Sequence, residues 1–206
     1  MNSHISKLIS DGYLKSDLII DAFSEIGRIE FLPKDLESEA NADVALPIGY
    51  GQTISQPRTV AFMLELLDPG RGQNILDVGS GSGWTTALLS YIVGHRGRVT
   101  AMERIRELLE QGKANVGKYN YLKEGEGGVA EFHLGDGKNG FEKNAPYDRI
   151  LVSASTFIVP EDLKKQLKIG GKMVIPIKSS LVYLEKKGED EFSEEHFPGF
   201  AFVPMV

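Results

Sequence analysis

Residues 74–84, Asn-Ile-Leu-Asp-Val-Gly-Ser-Gly-Ser-Gly-Trp, decide the fold. The apolar run at 75–78 predicts a buried β-strand, and apolar residues recur at helical spacing over 84–93. Three alternate glycines separate these two segments: Gly79, Gly81 and Gly83. A strand, a glycine turn and a helix in succession form the place where an open parallel sheet binds a nucleotide-like ligand. The missing side chains let the backbone approach that ligand closely.

The spacing of the glycines bears on which ligand binds there. The dinucleotide fingerprint places glycine at the first, third and sixth loop positions. Counted from Gly79, the sixth position is Trp84, and a bulky indole is expected to keep the helix from packing tightly on the strand. A P-loop is excluded because no Gly-Lys-Ser/Thr ending follows. The G-x-G-x-G spacing behind a strand that carries Asp77 resembles motif I of the S-adenosylmethionine-dependent methyltransferases.

Length and composition limit the class of protein. The 206 residues suit one domain with a core of its own, and 41% apolar with 25% charged residues is typical of soluble globular proteins. A net charge of −6 disfavours bulk attraction to nucleic acid or anionic membranes, so neither is expected as a partner. The absence of cysteine excludes disulfides and thiolate zinc sites. With no signal-peptide core and no apolar run of about 20 residues, a cytoplasmic protein is expected.

The order of predicted elements points to an α/β fold. Two amphipathic helices at 5–14 and 17–26 form an N-terminal extension, residues 46–57 read as an ordered loop, and a helix follows. Further strands are predicted at 98–103, 129–134, 147–153 and 173–177, with a polar helix at 104–119 and a second at 160–167 that Gly170 and Gly171 close. Pro176 predicts an edge strand or a bulge. Residues 181–186 and 200–204 are predicted to form a terminal antiparallel pair around an acidic loop, 188–195.

Strands alternating with helices predict a doubly wound, mostly parallel Rossmann-like sheet with helices on both faces. We expect a single methyltransferase domain over 1–206. Within it, residues 1–57 hold the N-terminal helices and the ordered loop, and residues 58–206 form the core with its C-terminal antiparallel strands.

Three acidic residues are predicted at the carboxyl ends of neighbouring strands, where such sheets bind ligands. Glu103 is suited to accept two hydrogen bonds from a ribose diol, or is a solvated strand-end acid. Asp136, between two glycines, is suited to an adenine amino group or to an Asx-turn. Asp77 is suited to hold the ammonium group of an amino-acid ligand, directly or through water. None of the three is a phosphate binder, which fits an adenosyl ligand without phosphates.

Other nucleophiles and metal ligands are poorly supported. Four histidines are present, and they show neither metal-ligand spacing nor a paired acid: His4, His95, His133 and His196. No metal site is expected. Ser55 has no Gly-x-Ser-x-Gly setting, which disfavours a hydrolase.

A narrower resemblance covers the whole chain, which is similar to the protein-L-isoaspartate O-methyltransferases. The segment Gly-Gln-Thr-Ile-Ser-Gln-Pro at 51–57 is close to diagnostic of that family. The segments that carry the resemblance are 28–33 (Arg-Ile-Glu-Phe-Leu-Pro), 46–57, 75–84, 134–137 (Leu-Gly-Asp-Gly), 147–154 (Tyr-Asp-Arg-Ile-Leu-Val-Ser-Ala), 167–176 (Leu-Lys-Ile-Gly-Gly-Lys-Met-Val-Ile-Pro) and 202–204 (Phe-Val-Pro).

The resemblance implies methyl transfer from S-adenosylmethionine, leaving S-adenosylhomocysteine, to the α-carboxyl of L-isoaspartyl residues in damaged proteins. It implies Ser55 as the active residue, Glu103 at the ribose, and Asp136 with Gly137 at the adenine. The remaining cofactor-binding positions that it implies are Thr53, Ile54, Ser55, Asp77, Gly79, Ser80, Gly81 and Gly83. Few elements show an exposed apolar face in the sequence, so a monomer is expected.

The chain also departs from the family pattern. The usual Ala-Tyr-x-Asp reads Ala-Asn-Ala-Asp at 40–43, Lys-Ser-Ser at 178–180 replaces glycines, and 153–157 replaces Thr-Ala-Ala. These departures are expected near the substrate, so they leave substrate identity open. A related methyltransferase acting on another peptide or small-molecule carboxylate remains an alternative, as does a protein that binds the adenosyl ligand without turnover. An NAD-dependent oxidoreductase is disfavoured by Trp84.

Overall fold

The structure, a computed structural model, describes residues 3–123 and 128–205. The strands in these ranges are β1 Leu46–Gly49, β2 Gln52–Ile54, β3 Asn74–Val78, β4 Arg98–Glu103, β5 Ala130–Leu134, β6 Tyr147–Val152, β7 Leu167–Ile177, β8 Ser180–Lys186 and β9 Phe192–Pro198. The α-helices are α1 Ser3–Ser10, α2 Asp17–Glu25, α3 Pro57–Leu67, α4 Trp84–Val93, α5 Arg106–Gly117 and α6 Glu161–Gln166. Four short 3-10 helices complete the described elements: Arg28–Phe31, Lys34–Glu39, Gly137–Asn139 and Glu142–Asn144.

A seven-stranded sheet runs in the order β5-β4-β3-β6-β7-β8-β9. Strands β5, β4, β3, β6 and β7 pair in parallel, and β8 and β9 add antiparallel at one edge. Strand β3 lies between β4 and β6, so the chain order reverses beside it. Ligands bind at such a reversal, outside the carboxyl ends of the strands. The predicted doubly wound, mostly parallel sheet is confirmed.

Successive side chains of a strand point to opposite faces of the sheet, and each face has its own hydrophobic core. Ile75 packs in the larger core with residues of helices α1 to α5, whereas Leu76 and Val78 pack in the smaller core with Leu163 of α6. Helices therefore cover both faces, as predicted.

Helix α2 of the N-terminal extension packs on α4 through Trp84. The Trp84 ring meets Phe23 of α2 edge-on at 5.6 Å, and its Nε1 donates to the carbonyl oxygen of Ile26 at 3.4 Å. The indole is 3% exposed and points towards α2, while α4 still contacts β3 and β4. The expectation that Trp84 keeps this helix away from the sheet is therefore wrong, because the side chain faces the N-terminal extension.

The loop predicted at 46–57 is a β-hairpin. Leu46 pairs with Ile54 and Pro47 with Thr53, and the turn is built on positive φ angles at Gly49, Tyr50 and Gly51. These two strands are short and rich in glycine and proline, so their composition suggested a loop.

Three predictions for the C-terminal third need correction. The last strand is Phe192–Pro198, where a loop was predicted, because an exposed edge strand carries acidic residues that hide its pattern. Gly170 and Gly171 lie within β7 and do not close α6. Pro176 lies in an inner strand, but beyond Val174, the last residue of β7 that pairs with β6.

No helix of the described ranges has the length and apolar character needed to cross a membrane.

Candidate functional site

A cleft of about 840 Å³, counted out to its open mouth, lies at the carboxyl ends of β3, β4 and β6. Predicted site residues that line it are Thr53, Ile54, Ser55, Gly79, Ser80, Gly81, Glu103 and Gly137. Three predicted residues do not line it: Asp77, Gly83 and Asp136. The structure thus brings the hairpin, the glycine loop and two strand ends to one cavity.

The glycine loop depends on backbone conformations that favour glycine. The φ angles of Gly79, Gly81 and Gly83 are +78°, +53° and +90°. A Cβ on Gly83 would lie 2.8 Å from the carbonyl oxygen of Gly112 in α5. The third glycine therefore allows α4 to meet α5 closely, and it acts in packing, outside the cleft.

Glu103 is held in place by three backbone N–H groups. Its Oε2 accepts from Gly81 N at 2.9 Å, and its Oε1 accepts from Arg104 N at 2.8 Å and Ile105 N at 2.9 Å. A carboxylate offers about four acceptor positions. The side chain is 7% exposed and lines the cleft, so its orientation is fixed and acceptor capacity remains on Oε2.

Asp77 lies beneath the glycine loop, with no exposed surface. Its Oδ2 accepts from the hydroxyls of Thr86 at 2.7 Å and Thr85 at 2.9 Å, both on α4. Burial raises the pKa of Asp77 to about 6, the two hydroxyls oppose this rise, and the charge of Glu103 adds to it. Its Oδ1 and the neighbouring Ser80 Oγ are buried without a hydrogen-bond partner among the described residues. Buried polar atoms of this kind fit a polar ligand group or an ordered water.

Asp136 caps the 3-10 helix that follows β5. Its Oδ1 accepts from Lys138 N at 3.0 Å, which is the Asx-turn role considered from the sequence. The neighbouring Gly137 lines the cleft, and a Cβ there would collide with Val78 Cγ1. Gly137 therefore lets the backbone pass close to the end of β3.

The hairpin wall of the cleft is held from behind by Arg28. The guanidinium is 6% exposed, and Nη2 donates to the carbonyl oxygens of Val44 at 2.8 Å, Ser55 at 3.1 Å and Ile54 at 3.5 Å. Burial lowers the pKa of Arg28 to about 10, so the side chain is still charged at neutral pH. Ser55 itself is half-buried and lines the cleft.

Sequence reasoning named only part of the lining. Ser153 and Ala154, which follow β6, line the cleft and belong to the departure at 153–157 that was expected near the substrate. The C-terminal segment 203–205 also lines the cleft, because Ser155 N donates to Val203 O and Met205 N donates to Ser155 O. No local pattern marks that long-range pairing.

The family departures lie in different places. Asn41 does not line the cleft but a second cavity, whose lining shares Trp84 with the cleft. Lys178 has a φ of +54°, a conformation that suits the glycine of the family pattern. Ala154, within the third departure, does line the cleft.

The cleft is lined mainly by hydroxyl and apolar groups. The lining residues include one carboxylate, Glu103, and one cation, Arg104, beside hydroxyl and apolar groups. Within residues 3–123 and 128–205, no group of three His, Asp or Glu residues is placed to hold a metal ion.

Comparison with known proteins gives a separate line of evidence on the family of this chain. The family model described as protein-L-isoaspartate(D-aspartate) O-methyltransferase matches residues 1–206. The protein-L-isoaspartate O-methyltransferase of Methanopyrus kandleri is 43% identical, over 98% of this chain and 89% of the relative. That of Methanococcus maripaludis strain S2 is 44% identical, over 98% of this chain and 93% of the relative.

Solved structures share the fold. A protein-L-isoaspartate O-methyltransferase superposes with a TM-score of 0.86 at 30% identity, covering 98% of this chain, which spans 64% of the length of that structure. A Plasmodium falciparum protein solved with S-adenosyl-L-homocysteine superposes with a TM-score of 0.84 at 22% identity, covering 99% and 97% of the two chains.

Proposed function

The chain belongs to the protein-L-isoaspartate O-methyltransferase family, and from that premise we propose that it methylates the α-carboxyl of L-isoaspartyl residues in damaged proteins and peptides. The methyl ester then cyclises to a succinimide, and hydrolysis of the succinimide returns part of the residue to aspartate. The observation that carries the proposal is the single cleft that joins the glycine loop, Glu103 and the Ser55 hairpin.

The cofactor is S-adenosylmethionine, which supplies a methyl group on a positively charged sulfur. Glu103 would accept from the ribose diol with the capacity left on Oε2. Gly137, which lines the cleft, would lie against the adenine, and Asp136 would fix the turn that carries Gly137. Asp77 and Ser80 would serve the polar end of the ligand through a water beneath the glycine loop, since each has an unpartnered buried oxygen. These residues match the needs of a ligand that carries no phosphate.

The residues of the cleft would act mainly by orienting the substrate carboxylate, and much less by transferring protons. A substrate carboxyl has an ordinary pKa of about 4 and is ionised at neutral pH, so no general base is needed. The Ser55 hydroxyl and backbone N–H groups of the hairpin would fix the attacking oxygen, and proximity carries most of the rate. Ile48 and Ile54 of the hairpin and Val60 of α3 line the cleft and give this wall an apolar surface.

The proposal extends to partners and location. Isoaspartyl proteins and peptides are the substrates, and the net charge of −6 supports action without a nucleic-acid partner. We propose a monomer that works in the cytoplasm, where a chain without cysteine is unaffected by the reducing conditions.

Methyl transfer to two synthetic peptides tests the proposal, one with an isoaspartyl and one with an aspartyl linkage at the same position. Labelled S-adenosylmethionine should give a base-labile label on the isoaspartyl peptide alone. Label on neither peptide, in a preparation that binds S-adenosylmethionine by calorimetry, would refute isoaspartyl methylation and favour another acceptor. Equal label on both would refute selection for the isoaspartyl linkage.

A further inference from the structure

Two large apolar side chains lie exposed next to each other in the chain. Phe157 is 82% exposed and Ile158 is 76% exposed, the highest values among the large apolar residues of the described ranges. Single exposed apolar residues are common, but an adjacent pair of this size marks a contact surface when it borders a site.

The pair lies three to four residues along the chain from Ala154, which lines the cleft. Ser153 and Ala154 line the cleft wall, and Ser155 is paired with Pro204, another lining residue. An extended chain advances at most about 3.6 Å per residue, so the Cα of Phe157 lies within about 11 Å of the Cα of Ala154. That distance is spanned by about three residues of an extended substrate chain.

The segment that carries the pair is fixed by hydrogen bonds. Thr156 N donates to Pro176 O at 3.0 Å, Lys178 N donates to Thr156 O at 2.9 Å, and Thr156 Oγ1 donates to Ile158 O at 2.8 Å. Phe157 lies between these anchored positions. A contact with a pre-ordered surface costs less conformational entropy than a contact that must first order a loop.

We propose that Phe157 and Ile158 form a docking surface for an apolar side chain of the substrate polypeptide, one to three residues from the isoaspartyl residue. This inference rests on the proposed function, because an isoaspartyl acceptor is part of a chain whose flanking residues must leave the cleft across its rim. Apolar side chains are accessible mainly in unfolded segments. The surface therefore selects damaged sites in unfolded chain that carries apolar residues.

The size of the surface favours a peptide over a second copy of the protein. A specific protein–protein interface buries roughly 1,200 Å² or more in total, which two side chains do not supply. One apolar side chain of a peptide needs only a contact of this extent.

The test compares isoaspartyl peptides that differ in one flanking residue. A reference peptide carries serine at the three positions on each side, and six others carry one leucine at each of these positions in turn. The proteins are the wild type, Phe157→Ser, Ile158→Ser and a control, Ile169→Ser. Ile169 is 60% exposed, and it lies near the start of β7, at the opposite end of the sheet from the cleft.

In the wild type, leucine at one or more positions should raise kcat/KM about fivefold to tenfold through KM, as expected for partial burial of one apolar side chain. Phe157→Ser or Ile158→Ser should remove this gain and leave the rate on the serine peptide unchanged, while Ile169→Ser keeps the gain.

Equal rates on all seven peptides would overturn the docking surface while leaving isoaspartyl methylation intact. A leucine-dependent gain in kcat/KM that both Phe157→Ser and Ile158→Ser keep would do the same. No methylation of any isoaspartyl peptide would overturn the proposed function and this inference with it. A dimer in sedimentation that Phe157→Ser dissociates would assign the surface to a second copy and overturn the peptide role.

Discussion

Arg28 Nη2 donates a hydrogen bond to the backbone carbonyl oxygen of Ser55, 3.1 Å away. The same guanidinium reaches two carbonyls in the segment before the hairpin, Ala40 O at 3.3 Å and Ala42 O at 3.2 Å from Nη1, and its Cζ lies 5.7 Å from the Trp84 ring centroid. One buried cation thus joins the N-terminal extension, the hairpin and the start of α4. The position of Ser55 therefore depends on a residue outside the cleft.

Replacing Arg28 should destabilise the protein and displace the hairpin. Arg28→Met leaves the five carbonyl oxygens that it binds without their donor, and because a buried acceptor left unpaired costs about 1–3 kcal/mol, we expect a loss of about 3–5 kcal/mol in the free energy of unfolding. Arg28→Lys should lower the free energy of unfolding by a smaller amount, because an ammonium keeps the charge but lacks the planar arrangement of donors. Denaturant unfolding measures both. Arg71→Met is the control, because Arg71 is exposed and binds a single carbonyl; an equal loss there would contradict the role of Arg28.

Gly83→Ala should lower the free energy of unfolding by more than the strain of its positive φ angle alone explains. Gly12 and Gly83 have φ angles of +77° and +90°, but a Cβ on Gly12 meets nothing within 4 Å, whereas one on Gly83 meets Gly112 O at 2.8 Å. We expect Gly12→Ala to lose about 1 kcal/mol and Gly83→Ala about 2–4 kcal/mol, with weaker binding of S-adenosylmethionine in calorimetry. If the two variants lost the same stability, close packing of α4 on α5 would not be the reason for the third glycine.

Asp77 should give the stability a distinct pH dependence. Its pKa rises from 3.8 in the unfolded chain to about 6 in the folded protein, chiefly through burial. Between these values the folded state keeps a proton that the unfolded state releases, so the contribution of Asp77 to stability falls as pH rises and is constant above about pH 6. A shift of about two units corresponds to about 3 kcal/mol.

Asp77→Asn removes this dependence. The free energy of unfolding of Asp77→Asn, measured relative to the wild type, should therefore increase by about 2 kcal/mol from about pH 4 to about pH 7. Asp21→Asn, exposed on α2, serves as the control for removing a carboxylate elsewhere on the protein. Parallel stability curves for Asp77→Asn and the wild type would show that the Asp77 carboxyl titrates normally.

Local patterns predicted the centre of the sheet well. The run at 75–78 and its glycines predicted β3 and the turn after it, and β4 was predicted at its observed bounds, Arg98–Glu103. Buried parallel strands are continuous apolar segments, which makes them visible in a sequence. The hairpin and β9 were missed because short or exposed strands lack that signal.

The site was predicted in part, and the missing part depends on long-range contacts. Glu103 and the glycine loop follow from strand ends, but the arginine that holds Ser55 binds backbone oxygens, which have no sequence signature. Gly112 matters through its distance to Gly83, and the segment 203–205 through its pairing with Ser155. Such contacts are set by the folded arrangement of segments far apart in the chain.

The most direct test of the account is the rate of methyl transfer to the isoaspartyl peptide by Ser55→Ala, measured beside calorimetric binding of S-adenosylmethionine. Ser24→Ala, which removes a hydroxyl on the exposed side of α2, is the matched control. Loss of a positioning hydroxyl should lower kcat/KM by about tenfold or more, with cofactor affinity changed much less and the control unaffected. Wild-type kcat/KM in Ser55→Ala would contradict the assignment of the hairpin as the place where the substrate carboxylate is held.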